Sequence, residues 1–293
     1  MRVTFLGTGT SEGVPIIRCH CPVCRDAASR PGHHNRRTRT SIMVEKDGKR
    51  LVVDTGPDFR EQMLCRHVEQ IDGVLYTHSH ADHIGGIADL REFSRVPTVP
   101  VPTWVRPVPV YGDAKLVAFI REHHDYVERG SRPFCQLHQL NPFAQVSISG
   151  FQVTPLVLWH GLQAGFISGY QLGGLLYLTD VKTIPGYPYP DPDYPMPDCP
   201  YDTWSYLRSR HFDTMVIDCL EPMHHNGAGS WRASPSHLTI QEVEEMVSLL
   251  DVGRVYLIHI DHQLSHQKLS GPFWSARHMY PSYDGLTIEV PNE

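Results

Sequence analysis

Residues 71–83 read IDGVLYTHSHADH, and this stretch decides the fold. Its first half, residues 71–77, is a short apolar run with β-branched and aromatic side chains, the signature of a buried strand. Its second half places four metal-type ligands in six residues: His78, His80, Asp82 and His83. Neutral imidazole and carboxylate suit Zn²⁺, Mn²⁺ or Fe²⁺. Alternation lets His78 and His80 face one ion, while Asp82 and His83, past the bend, face a second. The plainer reading is a solvated histidine-rich loop. Four ligands set directly at the end of a buried strand argue for a metal site instead.

Outward from this stretch the chain alternates strands and helices. Residues 2–7 (RVTFLG) read as a strand closed by the Gly-Thr-Gly-Thr turn at 7–10. Residues 41–46 and 50–54 flank Asp47-Gly48, a hairpin signal. Residues 11–40 read as a loop. Residues 58–70 and 113–128 predict helices, and 84–94 a helix start. Five prolines within 95–110 predict an extended or edge segment. Further strands are predicted at 145–149, 151–158, 165–172, 174–179, 213–218, 253–260 and 286–290. Thr239 with Glu242 forms a capping-box signature that opens an amphipathic helix over 240–250. Residues 184–202, rich in Pro, Tyr and Asp, carry no period and read as a lid or an insertion. The pattern predicts an α/β chain with two sheets sandwiched between helices.

Composition narrows the function classes. The chain has 293 residues, 41% hydrophobic and 20% charged, as a folded globular protein does. A net charge of −6 and a pI near 6.3 disfavour duplex DNA or RNA as a bulk partner. No apolar run reaches the roughly 18 residues of a membrane span. The N-terminus meets Gly and Thr too early for a signal peptide, so the expected compartment is the cytoplasm. Nineteen histidines are far above ordinary usage. Seven cysteines is an odd count that argues against a full disulfide framework. Cys19, Cys21 and Cys24 lie within six residues, which in a reducing compartment reads as metal binding. Cys65, Cys135, Cys199 and Cys219 lack metal spacing and read as inert thiols.

HSHADH at 78–83 resembles the HxHxDH signature of the metallo-β-lactamase fold. Other elements of that pattern follow in order: His160 after FQVTPLVLW, Asp180 in LLYLTD, and His259 in VYLIHI. The resemblance implies an αββα sandwich of two mixed sheets flanked by helices, spanning 1–293 as a single domain. It implies a first metal held by His78, His80, His160 and Asp180, and a second held by Asp82, His83, Asp180 and His259, each Zn or Mn. Asp54 in LVVDTG matches a residue that orients ligands. GTGTSEGVP followed by C-x-C-x2-C resembles the PhnP-type branch, which also includes PqqB-like proteins. That branch implies a structural zinc, here on Cys19, Cys21, Cys24 and His262, with the Cys-rich loop near 15–40. His237 in SHLT matches a His thought to steady the scissile phosphate or assist the leaving group.

The activity this resemblance implies is hydrolysis of small phosphodiesters, cyclic or nucleotide-like. Hydroxide formed between the two metals would attack phosphorus, with Asp82 orienting or deprotonating the nucleophile. The partner would be a small-molecule phosphodiester, with neither membrane nor nucleic acid involved, and relatives often form homodimers. Hydrolysis of a lactone, thioester or sulfate ester shares the same ligands and stays open. A PqqB-like non-hydrolytic role is disfavoured by the intact ligand set, and an RNase Z-like tRNA nuclease by the acidic charge. Arg36, Arg37 and Arg39 form a basic cluster that either grips phosphate or is a solvated patch. His33-His34, His123-His124 and His224-His225 read as bystanders. The aromatics Tyr187, Tyr189, Tyr194, Tyr201, Trp204 and Tyr206 either stack on a base or sugar or pack their loop down.

Overall fold

Asp47 and Gly48 turn the predicted hairpin with φ of 51° and 73°, the pair of positive values that a two-residue type I′ turn requires. The turn joins strands Ser41–Lys46 and Lys49–Val53 in register from Lys46↔Lys49 to Ile42↔Val53. The computed structural model describes residues 1–96, 103–104, 106–189, 195–220, 224–225, 231–232 and 234–291.

The hairpin belongs to a seven-stranded sheet. Its spatial order is Thr287–Glu289, Arg2–Gly7, Ser41–Lys46, Lys49–Val53, Gly73–Leu75, Val108–Gly112, Cys135–Gln139. Pairing is antiparallel up to Lys49–Val53 and parallel beyond it. A second seven-stranded sheet runs Met279–Pro281, Asp251–Ile258, His211–Asp218, Leu175–Leu178, Phe166–Leu172, Phe151–Trp159, Val146–Ile148. It too is half parallel and half antiparallel.

One apolar core draws on both sheets: Val3, Ile42 and Leu75 from the first, Tyr170, Val216 and Ile258 from the second. On the outer face of the first sheet, Phe59 and Met63 of helix Phe59–Cys65 pack with Leu116 and Ile120 of helix Ala114–His123. On the outer face of the second, Trp204 of helix Thr203–Arg208 packs with Val243 and Met246 of helix Ile240–Ser248. The last helix opens with the predicted capping box between Thr239 and Glu242. The architecture is the expected αββα sandwich of two mixed sheets.

Some elements differ from the sequence reading. The Cys-bearing stretch contains a helix, Pro22–Ser29, rather than loop throughout. Pro22 starts it and the Cys21 sulfur accepts from the Cys24 amide at 3.3 Å, an unusual N-cap that apolar periodicity does not reveal. Strand Val108–Gly112 lies inside its sheet despite Pro109, not at an edge. Pro109 is near the strand's start, one residue before the register with Gly73–Leu75 begins at Val74↔Val110. Strands Cys135–Gln139 and Met279–Pro281 carried no signal strong enough to predict. Part of the 95–110 and 184–202 segments, including Tyr194, lies outside the described residues.

Strand ends assemble the site. Asp54, His160 and His259 each come directly after a strand, Asp180 comes two residues after one, and Asp218 is the last residue of another. Asp54, Asp180 and His259 leave their strands with φ of 64°, 57° and 58°. Such left-handed turns cost on the order of 1–3 kcal/mol each. Burial of a single Val, Leu or Ile side chain returns about as much, so a core of this size holds all three turns in place.

Candidate metal centre

His78 lies three residues past strand Gly73–Leu75, an interior strand of the first sheet, while His80 is the N-cap of the short helix Ala81–Ile84 and Asp82 lies in its first turn. Gly56 makes that helix possible. A Cβ there would lie 2.1 Å from the Asp82 carbonyl oxygen, so only glycine lets the Asp54 strand end approach so closely.

Two clusters result. His78, His80 and His160 present ring nitrogens within 4.8 Å of one another. Asp82, His83, Asp180 and His259 form a second cluster under the same limit. Asp180 faces both: its Oδ1 lies 3.6 Å from His160 Nε2 and 3.5 Å from His259 Nε2, and its Oδ2 lies 3.1 Å from His83 Nε2. Asp82 Oδ2 lies 3.3 Å from His83 Nε2 and 3.6 Å from His259 Nε2. These separations match donors that surround an ion at about 2.0–2.2 Å.

The back sides of the rings fix their tautomers. Carboxylate and carbonyl oxygens only accept, so the nitrogen facing them carries the proton. His83 Nδ1 donates to Asp54 Oδ2 at 2.7 Å, and His160 Nδ1 to the Ser236 carbonyl at 2.8 Å. Thr77 gives its hydroxyl proton to Asp54 Oδ2 at 2.9 Å, so its oxygen accepts from His78 Nδ1 at 3.0 Å. Each Nε2 lone pair is thereby turned into the site. Asp54 has no exposure and also accepts from the Thr77 amide at 2.8 Å. It orients ligands without joining either cluster, as the resemblance implied.

The donor set fits divalent ions. Nε2 of His78, His83 and His259 is buried with no hydrogen-bond partner among the described residues, an arrangement that costs free energy unless something else satisfies these atoms. Charge agrees. Burial pushes His78 and His80 down, and His160 to about 4, so the first cluster offers neutral imidazoles. Burial also opposes a proton on His83 and His259, but the Asp180, Asp54 and Asp82 carboxylates outweigh it. His83 is held well above its ordinary value and His259 near 9. A pocket that draws protons onto its imidazoles this strongly is one that a cation would satisfy.

Sequence reasoning missed Asp218. It is fully buried, and its Oδ2 accepts from the Val181 amide at 3.0 Å and from His237 Nδ1 at 2.8 Å. His237 stacks on His259 at 4.7 Å between centroids and meets the His160 ring edge-on at 4.8 Å. Its Nε2 is free to act, since Nδ1 is committed to Asp218. The overlooked signal was present: Asp218 ends the buried run DTMVID much as Asp180 follows LLYL.

Cys19, Cys21 and Cys24 Sγ lie 3.3, 3.4 and 3.5 Å from His262 Nδ1. These are the ligand separations of a closed tetrahedral site with Zn–S near 2.3 Å and Zn–N near 2.0–2.1 Å. A hydrogen bond from the Cys21 backbone pulls Cys19 below the usual thiol range, while burial pushes Cys24 up. His262 comes three residues after His259, so this cluster ties the N-terminal segment to the rim of the larger site.

The basic cluster does not converge on the centre. Arg37 is 2% exposed and spends Nη1 on Thr8 Oγ1 at 2.8 Å and the Ser282 carbonyl at 2.7 Å. Arg39 pairs with Asp58 at 3.2 Å. Arg36 is exposed on a separate cavity with His33 and His34. Tyr187 packs edge-on against Trp204 at 4.8 Å, and Tyr206 against Phe143 at 5.3 Å, so these rings hold their loop down. His123 packs on Phe119 at 4.5 Å. Cys135 and Cys219 are buried, whereas Cys65 is exposed.

Fold and site together define the class, and the chain belongs to the beta-lactamase superfamily: residues 49–260 match the family described as Beta-lactamase superfamily domain. Within it, the chain resembles the PhnP type. The crystal structure of a diphosphatase from the PhnP family is 31% identical and covers 98% of this chain and 97% of that one, with a TM-score of 0.76. Zn²⁺-bound PqqB from Methylobacterium extorquens shares the fold at 20% identity and a TM-score of 0.71, covering 99% of this chain and 100% of that one. Among curated proteins, an octanoyltransferase of Porphyromonas gingivalis is 31% identical over 298 residues, 98% of this chain and 51% of that protein. The chain thus spans about half the length of that relative. The family supports a hydrolase and the fold suggests divalent-metal binding. No helix among the described residues is long and apolar enough to cross a membrane.

Proposed function

We propose that this chain is a dinuclear metal-dependent phosphodiesterase acting on small phosphodiesters, cyclic or nucleotide-like. One observation carries the reading: Asp180 sits between two ligand clusters, and the anchored His237 stands beside it. His78, His80, His160 and Asp180 would hold one ion, and Asp82, His83, Asp180 and His259 the other. Two such ions would supply a water of lowered pKa and neutralise charge on the phosphoryl oxygens.

The chain's own residues do the rest. Asp82, 12% exposed at its side chain, is the more open of the two carboxylates and orients the attacking water or takes its proton. His237, held by Asp218, steadies the phosphate or gives a proton to the leaving oxygen. Cys19, Cys21, Cys24 and His262 would hold a structural zinc that fixes the rim. The PhnP-family diphosphatase supports phosphate chemistry. The octanoyltransferase match takes in only half of that protein, and the site itself gives no argument for acyl transfer.

The experiment is a comparison of rates on bis-p-nitrophenyl phosphate and p-nitrophenyl acetate with Zn²⁺ or Mn²⁺ supplied. The reading expects the phosphodiester to be turned over and the acetate ester to lag far behind. Acetate cleavage with no diesterase activity would transfer the site to another ester bond.

A further inference from the structure

Beside the first ligand cluster, a cavity of about 160 Å³ is walled by His78 and His80 on one side and by Lys115, Gln163 and Phe166 on the other. A second cavity of about 170 Å³ adjoins it, sharing Asp113 and Phe166 as walls. The two differ in character. The first is polar and carries a cation. The second is mostly apolar, with the aromatic rings of Phe166 and Tyr201 set among prolines and aliphatic side chains such as Leu140 and Val157. Outward from the ligand clusters come metal-type donors, then an ammonium, then an apolar cavity with Phe166 and Tyr201 in its walls.

Lys115 is placed to serve a ligand. Its Nζ donates to the Ala164 carbonyl at 2.5 Å, which fixes the ammonium over the cavity and leaves two N–H donors unspent among the described residues. The acid in that wall, Asp113, is engaged at Oδ1 as the helix cap, accepting from the Leu116 amide at 2.7 Å. The loop Lys115 grips follows His160 directly, and the His160 amide bonds the Gly165 carbonyl at 3.0 Å. Tyr201 is 39% exposed on the far wall, with its ring 5.7 Å from Phe143. It comes from the Pro-rich segment that the sequence singled out and that the proposed chemistry did not use.

We propose that these joined cavities form the leaving-group subsite, that they select a diphosphate diester bearing a planar base, and that Lys115 is the specificity-determining residue that holds the second phosphate. This rests on the phosphodiesterase reading. The phosphorus at the metal centre gains an oxygen from water, and the P–O bond to the bridging oxygen breaks. The leaving nucleoside monophosphate keeps that oxygen and a proton from the water. Its phosphate lies at Lys115 and its base in the slot under Tyr201, where stacking on aromatic faces is favourable whatever the base.

The test is calorimetric binding of adenosine 5′-(α,β-methylene)diphosphate and of AMP to the metal-loaded protein, its Lys115→Met variant and its Tyr201→Ala variant, with metal content measured on each. Wild type is expected to prefer the two-phosphate analogue. Lys115→Met should narrow that preference by about tenfold, the worth of one charge-assisted contact. Tyr201→Ala should weaken both nucleotides but not methylenediphosphonate, which has no base. An unchanged preference in Lys115→Met, or loss of metal from it, overturns the proposal, because Lys115 would then serve only the loop after His160. Wild-type turnover of bis-p-nitrophenyl phosphate is recorded in parallel. Its absence would sink the phosphodiesterase reading itself, whatever the binding data show.

Discussion

The pairing of His237 with Asp218 permits a quantitative test. His237 Nδ1 donates to Asp218 Oδ2 at 2.8 Å, with the carboxylate fully buried. A hydrogen bond to a charged acceptor is worth about 1.5–3 kcal/mol, a neutral one about 0.5–1.5. Asp218→Asn keeps a carbonyl oxygen at the shared position, where it still accepts from Val181 and His237, but removes the charge. The expected loss is therefore about 1–1.5 kcal/mol, or roughly five- to tenfold in kcat. His237→Ala removes the acting group and should cost about 10²–10⁴ in kcat. The double variant decides the assignment. If Asp218 acts through His237, Asp218→Asn should add almost nothing in the His237→Ala background. Asp218 Oδ1 also lies 3.8 Å from His259 Nδ1, which offers a competing route. The assay is turnover of bis-p-nitrophenyl phosphate at saturating substrate, with metal content read on the same samples. Equal losses from Asp218→Asn in both backgrounds, or loss of metal, would refute the reasoning and assign Asp218 to the metal ligand instead.

Other outcomes follow from the same geometry. Gly56→Ala should displace the Asp82 helix, because its Cβ would meet the Asp82 carbonyl at 2.1 Å; elemental analysis should show fewer active-site ions in a chain that still folds. Cys24→Ser should strip the Cys-site ion and lower Tm, since a structural zinc contributes directly to folding, and an unchanged melting curve would remove that role. Asp72→Asn probes pH-linked stability. Burial pushes Asp72 up, but the Arg50 amide and Lys49 outweigh it and hold the carboxyl below its ordinary value. A lowered folded pKa gives stability that is fully present above the unfolded value and lost as pH falls through the folded one. The gap between wild type and Asp72→Asn in urea melts should therefore be full at neutral pH and shrink as pH drops below about 4.

Much of this molecule was legible in its sequence because its signals are local. The strand-then-ligand run at 71–83, the Asp47-Gly48 turn and the Thr239–Glu242 cap each act within a few residues, and the structure shows all three, with the strand read over 71–77 shortened to Gly73–Leu75. The ligand candidates His160, Asp180 and His259 came from resemblance, and the structure brings them together because each follows the end of a strand. What escaped was set by tertiary contact. Asp218 is one aspartate among many until the second sheet carries it beneath His237. The arginine cluster read as either a phosphate grip or a solvated patch, but Arg37 is neither: it is buried in a network with Thr8 and Ser282, a partner 245 residues away. Pro109 argued for an edge strand, yet parallel neighbours lie on both sides of it. Helix Pro22–Ser29 was hidden because cysteine does the capping.

The most direct test of the central claim is metal content on freshly purified protein, paired with turnover of bis-p-nitrophenyl phosphate before and after chelation. The account predicts about three ions per chain, two in the shared site and one in the Cys site. Chelation should abolish turnover, Zn²⁺ or Mn²⁺ should restore it, and one zinc should resist removal throughout. A single tightly held zinc, with no diesterase activity after metals are resupplied, would contradict the account and leave only the Cys19–Cys21–Cys24–His262 cluster as a metal site.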